Sequence, residues 1–498
     1  MARFCNILRK RVFLLFLPRC NSSFRLNFIK KIIKMQKIIV KNFRQISTAE
    51  VEIRKILFLI GEQASGKSTL AKLIYFFKSL KNDYFNLIYE NGNRTNSKLK
   101  DLFINKIQDN FKIYFGFTSE LDTNFEIIFY YNFVAENSTE NRYLKLHKSN
   151  TLQIKFDDNY FGEILNNTRD LAREINNFTT NQVDTSASNY ITIERTKTRF
   201  MNELRQRVNT LFYDLYTPMF FPAGRNITVS YPEQFQALFL NKLNDAKSVD
   251  MLLMQSFILH SKFLFDYFRG NTFDLIIKNN TNPQMNNILQ FFKNHAEYIL
   301  KGKYDNIGGS EKIIYKNSNN KANNKGVPLN IASSGQQEAI RIIQDLFYVL
   351  YENQKSFRII EEPEAHLYPK AQKKIIELMV LVANKTQSQF IITTHSPYIL
   401  SILNNLLMYS VVSENNTNAI NSIKQHFGTS NLDTNSDERV NIQVNEIQAY
   451  AVNQQADVYC HSIIDQETGL IGENYLDTIT EELNNDFDVL YNLNFQKQ

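Results

Sequence analysis

The sequence predicts an α/β fold in which a sheet presents its functional loops at the carboxyl ends of its strands, beside an antiparallel β layer and a large, mainly helical insertion. Three observations predict it. The apolar run Ile56-Leu57-Phe58-Leu59-Ile60 leads directly into a glycine-bearing loop and then into the helical period of residues 69–77, the strand–loop–helix junction of a βα unit. Two more apolar runs, at residues 357–360 and 390–392, end in polar, chemistry-bearing residues, as strands do at the ligand-bearing edge of such a sheet. Residues from about 161 to 303 carry helical rather than alternating periodicity.

In chain order, residues 38–43 and 51–60 read as strands, followed by the glycine-bearing loop and its helix. Strands at residues 125–131 and 143–156, the latter folded at the turn-prone Ser149-Asn150, supply the antiparallel layer. Helices at residues 193–216 and 250–269 are punctuated by Pro218-Met219-Phe220-Phe221-Pro222 and by Asn279-Asn280-Thr281-Asn282-Pro283, both read as breaks. Residues 316–325, rich in Asn and Lys, read as a solvated loop. A helix is expected at residues 339–351. Beyond Glu414 the chain is Asn- and Ser-rich to about Ser436, then regains pattern in a strand-like stretch at 440–452, a hairpin near 462–471 and a helix near 475–490. No a/d heptad is sustained over three repeats, which argues against a long coiled-coil arm. The expected division is a basic leader at 1–34, a first lobe at 35–160, the helical insertion at 161–330, a second lobe at 331–413 and a small α+β extension at 414–498.

The net charge of +7 invites a nucleic-acid reading, but nine basic residues and no acid fall within the first 34 positions. Without them the chain carries 48 basic and 50 acidic residues, so its body is nearly neutral and the total says nothing of a basic surface. The leader holds one short apolar run, residues 12–17, far below the roughly 20 residues that span a bilayer. It is read as translated from an upstream start codon, with Met35 beginning the patterned chain and no stable membrane insertion. Three cysteines, two of them in the leader, build neither a disulfide framework nor a closed metal site, and a cytoplasmic compartment is expected.

The loop Gly61-Glu62-Gln63-Ala64-Ser65-Gly66-Lys67-Ser68-Thr69 has the form Gly-x-x-x-x-Gly-Lys-Ser. A polyphosphate needs a concave set of backbone N–H donors and a cation, and glycines at this spacing let the backbone wrap close to the phosphates. Lys67 is the candidate partner of the β- and γ-phosphates and the Ser68 hydroxyl the candidate Mg²⁺ ligand, with the helix dipole aimed at the anion. At the end of the second apolar run stand Glu361-Glu362-Pro363-Glu364-Ala365-His366-Leu367. Adjacent residues at a strand end point different ways, so Glu361 can hold the metal while Glu362 reaches the attacking water of an in-line transfer. The third run delivers His395, placed to contact a γ-phosphate. Ser333-Ser334-Gly335-Gln336 precedes a helix, where hydroxyls and backbone N–H groups favour an anion. Taken alone the acidic pair is an ordinary turn and the histidine a structural one; the combination with the phosphate loop gives them weight.

Together these segments resemble the Walker A, signature, Walker B and switch-histidine elements of ABC-type ATPases, in the family's order. The phrase from Glu361 to Leu367 looks particularly like the AAA-type, SMC/RecF-like and overcoming-lysogenization-defect (OLD) branch. Glu361 stands where Asp is more usual, and Ser333-Ser334-Gly335-Gln336 is a looser form of Leu-Ser-Gly-Gly-Gln; both forms occur in the OLD-like branch. The resemblance implies a P-loop ABC-type ATPase head with a mixed central sheet, ATP and Mg²⁺ as cofactors, and a homodimer in which Ser333, Ser334, Gly335 and Gln336 of one subunit close on the γ-phosphate held by the other. It also implies a role in DNA repair or phage defence, with DNA and a separately encoded effector as candidate partners. Pro222-Ala223-Gly224-Arg225 resembles a further segment of this branch and makes Arg225 a candidate near the nucleotide, against the plainer reading of a surface arginine after a turn.

Other functions fit less well. A transporter ATPase subunit is the alternative, but the 267-residue interval from Lys67 to Ser334 is much longer than that family's transporters carry. A GTPase would need Asn-Lys-x-Asp, and Asn241-Lys242-Leu243-Asn244 lacks the acid. A fused nuclease would need clustered acids, yet the sole Asp-x-Asp, Asp486-Phe487-Asp488, reads as solvated helix acids, so no intrinsic nuclease activity is expected.

Overall fold

The computed structural model describes residues 35–116, 124–136, 138–157, 159–180, 187–230, 248–315, 326–415, 442–453, 458–465 and 467–472, with 485 and 487–489 near the C-terminus. The leader, residues 241–244 and 316–325, most of the Asn- and Ser-rich stretch, most of residues 475–490 and Asp486 lie outside them.

Two sheets organise the chain. The first is antiparallel, built from β1 (Met35–Phe43), β2 (Ile46–Ile53), β4 (Glu126–Phe133), β5 (Arg142–Lys148) and β6 (Leu152–Phe156) in the order β2-β1-β4-β5-β6. The second is the central, mixed sheet. Here β3 (Ile56–Ile60), β7 (Thr217–Phe221), β11 (Ser356–Glu361), β12 (Gln389–Thr394), β13 (Ile447–Val452) and β14 (Cys460–Ser462) lie in the order β14-β13-β3-β12-β11-β7, parallel except for β14. A small antiparallel sheet joins β8 (Lys303–Asp305), β9 (Lys312–Ile314) and β10 (Val327–Pro328).

The run expected as one strand over residues 51–60 is two, parted at Arg54-Lys55. Val51 pairs with Ile38 in the antiparallel sheet, whereas Leu57 pairs with Ile391 in the central one. The burial pattern changes at the same place: β2 alternates, while every residue of β3 is buried, the mark of a strand covered on both faces. Lys55 fixes the crossing by donating to Asn384 at 2.6 Å and Glu446 at 3.0 Å.

Helix α1 (Lys67–Asn91) lies between the two sheets. Leu70, Leu73, Ile74 and Phe77 share one core with Ile38, Val40 and Phe129 of the first sheet and with Leu57, Leu59 and Ile391 of the second. The alternate residues Ile56, Phe58 and Ile60 face the opposite core, as the two-residue strand period requires. The abundant phenylalanines do much of the filling: Phe77 stacks on Phe129 with centroids 5.0 Å apart, and Phe43 meets Phe111, Phe115 and Phe125. Helix α2 (Asn96–Phe115) packs on α1, and α3 (Tyr160–Thr180) and α4 (Ala187–Leu211) pair beside it.

Pro218 to Pro222, read from the sequence as a break between helices, is instead dominated by β7. It is an edge strand, parallel to β11, with Phe220 opposite Ile359. An edge position tolerates Pro218 because one side of the strand needs no ladder partner. The C-terminal stretch likewise joins the central sheet, since β13 runs parallel to β3. Over the second core lie α5 (Val249–Phe268), α6 (Phe273–Asn279), α7 (Pro283–Leu300), α8 (Ser334–Tyr351), α9 (Pro369–Thr386) and α10 (Pro397–Asn415).

Two buried charge clusters tie these layers together. Asp214, ahead of β7, receives Lys78 at 3.2 Å and Lys81 at 3.5 Å from α1; burial pulls Lys81 down to about 8 despite the nearby carboxylate. Asp345 of α8 accepts two bonds from Arg358 of β11, at 2.7 and 3.0 Å, and meets His260 of α5 at 2.7 Å. Although burial opposes it, the Arg358 guanidinium, helped by His260, holds this carboxyl down at about 2. Its folded pKa lies below the ordinary 3.8, so its contribution to stability is fully present above about pH 4 and is lost as pH falls towards 2. Asp345→Asn is expected to cost about 3–5 kcal/mol by leaving Arg358 buried and unpaired, and to flatten the acid side of the stability profile, as read from urea unfolding across pH 2 to 7.

Candidate nucleotide-binding site

The glycine-bearing loop leaves β3 at Ile60 and enters α1 through Gly66, whose φ of 103° places it in left-handed space. Ala64 also has positive φ, 62°. Glu62, Gln63 and Ala64 form the exposed crown of the loop, Ser65 is buried and Ser68 is half-buried in the first turn of α1. The Lys67 ammonium folds back to donate to the carbonyls of Gly61, at 2.6 Å, and Glu62. Burial lowers its pKa, against the opposing pull of Glu362, Glu364, Glu62 and Glu361, so the cation stands in the field of the acids at the neighbouring strand end. The Thr69 hydroxyl is buried and accepts a bond from Gln45 at 2.9 Å.

At the end of β11 the two acids diverge. Glu361 is 7% exposed; one carboxylate oxygen accepts the Ala223 N–H at 3.1 Å, and the other has no hydrogen-bond partner. Glu362 leaves the strand with φ of 45°, its N–H bonded to the Thr393 carbonyl at 2.9 Å. A positive φ at a non-glycine residue costs on the order of 1 kcal/mol and persists where the surroundings over-determine it. Here it turns the side chain towards His395, whose Nδ1 lies 3.2 Å from the carboxylate, with both groups partly exposed. Glu364 folds beneath them. One of its oxygens accepts the Thr394 hydroxyl and, at 3.4 Å, the His395 N–H. Burial pushes its carboxyl up, a shift that the Thr394 bond opposes.

The Ser333-Ser334-Gly335-Gln336 segment starts α8. Ser333 and Ser334 are exposed, whereas Gly335 is buried so closely that an added Cβ would stand 2.5 Å from the His366 carbonyl oxygen. Gln336 departs from expectation. Its side chain is buried, accepts from the Ser333 N–H at 3.0 Å and donates to the Leu300 carbonyl, so its amide is occupied within the fold rather than offered to a ligand. Among the described residues, no hydrogen bond joins Ser333 or Ser334 to residues 61–69 of the same chain.

Arg225 is not the surface arginine of the plainer reading: it is 0% exposed, and its guanidinium donates to the carbonyls of Glu361 (2.6 Å), Glu362 (2.8 Å), Pro222 (3.1 Å) and Glu338 (3.1 Å), behind the candidate site. The Glu338 carboxylate lies 3.2 Å away. Burial pulls its pKa down, opposed first by Glu338, yet an arginine remains charged under any such shift.

The structure thus gathers Lys67, Glu361, Glu362 and His395 at the adjacent ends of β3, β11 and β12, with Ser68 in the first turn that follows. Glu364, Thr394, Gln45 and Tyr459 join them without having been singled out. Glu364 lay inside the quoted acidic phrase; Gln45 and Tyr459 gave no local signal. The residues fit Mg²⁺: the unpartnered oxygen of buried Glu361 is a spare anionic acceptor, and the Ser68 hydroxyl is of the hard type this cation takes. Among the described residues no group of three or more His, Cys, Asp or Glu stands ready to hold a metal, so phosphate oxygens would complete the shell.

A phosphate loop between parallel strands, with acids and a histidine on the neighbouring strand ends, defines a nucleoside-triphosphatase. The chain belongs to the AAA ATPase domain family, whose model matches residues 34–400, and ATP binding and hydrolysis are the family's general activity. No curated protein matches the sequence. Among solved structures, similar ones include an SMC head bound to the C-terminal winged-helix domain of ScpA (12% identity, TM-score 0.33, 74% of this chain and 92% of that one). Others are the SMC head domain from Thermotoga maritima (11%, 0.31, 74% and 92%) and the recombination mediator protein RecF (13%, 0.26, 73% and 93%).

Arg225→Ala is expected to destabilise the protein by about 3–5 kcal/mol, because Glu338 loses its charge partner and several buried carbonyls lose their donor. Arg225→Lys should recover only part of this, since an ammonium cannot reproduce the planar fork; thermal unfolding of the two variants measures both effects.

Proposed function

We propose that the protein hydrolyses ATP as a dimer with two composite sites, each made from the phosphate loop of one copy and Ser333-Ser334-Gly335 of the other. The observation that carries the reading is the convergence of Lys67, Glu361, Glu362 and His395 at one sheet edge. Lys67 now rests on the carbonyls of Gly61 and Glu62, and a triphosphate exchanges those oxygens for phosphate ones. Ser68 and Glu361 would hold Mg²⁺, which would supply charge neutralisation across the phosphates. Glu362 orients and deprotonates the attacking water, and His395, whose Nδ1 is 3.2 Å from the Glu362 carboxylate, reports the γ-phosphate. Ser333 and Ser334 face solvent at a helix N-terminus, which suits closure by a second copy.

The coupled role is read as DNA-related or antiviral, exerted in the cytoplasm with a separately encoded effector, from the resemblance of residues 361–367 to the OLD-like branch. No described helix is long and apolar enough to cross a membrane.

Glu362→Gln is expected to lower turnover roughly 100- to 10,000-fold while the protein accumulates as an ATP-bound dimer, seen as a doubled mass in light scattering. Turnover at the wild-type rate would defeat the assignment of the base, and a monomer at saturating ATP would defeat the dimer. Mixing Lys67→Ala with Ser334→Glu, each inactive alone, is expected to restore activity, because the mixed dimer holds one site free of both changes. Absence of any recovery would refute composite sites.

A further inference from the structure

Both glycines of the phosphate loop are packed against a segment far along the chain, beyond the region that matches the family model. An added Cβ at Gly61 would overlap the carbonyl oxygen of Val452, the last residue of β13, and one at Gly66 would overlap the hydroxyl of Tyr459, which immediately precedes β14. Tyr459 is 6% exposed, and its hydroxyl donates to the carbonyl of Ser65. Antiparallel pairing of β13 with β14, together with a 3.0 Å bond from the Asn453 N–H to the Tyr459 carbonyl, sets the residue in place. Burial pushes the phenol up, so it is a donor throughout the physiological range.

We propose that Tyr459 is a positioning residue for nucleotide binding: by holding the Ser65 carbonyl it orients the Ser65–Gly66 peptide, so that the Gly66 N–H is presented to a phosphate. The inference rests on the ATP reading above. Its physical basis is that the peptide is planar and trans, so the carbonyl and the N–H point in opposite directions. Fixing one outward, on the C-terminal hairpin, fixes the other inward. A glycine at φ 103° has shallow conformational preferences of its own, which leaves this peptide in need of an external anchor. Gln45 supports the same turn from the other sheet, packing against Gly66 and donating to Thr69.

The test is the affinity of full-length protein for Mg²⁺ and the non-hydrolysable analogue AMP-PNP, by titration calorimetry, together with KM and kcat for ATP. Tyr459→Phe keeps the ring and removes only the hydroxyl. Tyr160→Phe is the control: its buried hydroxyl donates to the Leu211 carbonyl at 2.9 Å, remote from the loop. Tyr459→Phe is expected to weaken binding roughly 3- to 10-fold and to raise KM by a similar factor with kcat within about twofold of wild type. Tyr160→Phe is expected to lower thermal stability at least as much with affinity unchanged. Wild-type affinity in Tyr459→Phe, or equal weakening in both variants, would overturn the inference. A wild-type protein that binds no AMP-PNP would instead overturn the ATP reading, and the inference with it.

Discussion

One guanidinium holds the catalytic edge together. Arg225 sits at the meeting point of β7, β11 and α8 and bonds the carbonyls of both Walker B acids, of Pro222 and of Glu338. Carbonyls at the ends of parallel strands have no ladder partner once the strands diverge, and leaving them buried without donors is costly. Arginine suits the position because its five donors radiate in a rigid plane. The position of Glu362 therefore depends on it, since the carbonyls of Glu361 and Glu362 bracket the peptide at which the chain turns out of the strand. Glu338 returns the charge, so the start of α8, which carries Ser333 and Ser334, is tied to the same point.

From this anchor the rest of the site follows by strand order. β3, β12 and β11 are adjacent and parallel, so Lys67, His395 and Glu362, each just beyond a strand end, are neighbours although 328 positions separate the first from the second. Glu364 completes the join by accepting from Thr394 and His395, which links the acidic turn to the switch strand. Behind them, Asp214 with Lys78 and Lys81 fastens α1 to the approach of β7, and Asp345 with Arg358 and His260 fastens the helical insertion to β11. The acids of both clusters are buried, and removing either partner of such a pair leaves an uncompensated charge.

What could be read from the sequence was local. The phosphate loop, the acidic pair, His395 and the strand–loop–helix junction were legible because spacing and hydrophobic period express them within ten residues or so. β7 was missed because two prolines look like punctuation, and only its edge position makes Pro218 acceptable. The burial of Arg225 is not legible from the turn ahead of it, because its four carbonyl partners come from three separate segments. The bond from Gln336 to the Leu300 carbonyl is not legible in motif order. Tyr459 lies 393 residues from Gly66 in sequence, and only β13 pairing with β3 brings them together.

The same geometry is compatible with the composite site proposed above. Ser333 and Gln336 form a capping box at the start of α8, and Ser333 and Ser334 are exposed there. Gly335 is packed against the turn that follows Glu362. The exposed serines and Glu362 are thus tied together through Gly335, His366 and Arg225. A ligand pressed on the serines bears on the same body that holds Glu362. In the dimer proposed above, a second copy would supply that ligand from its own phosphate loop, and occupation of one site would be felt at the other.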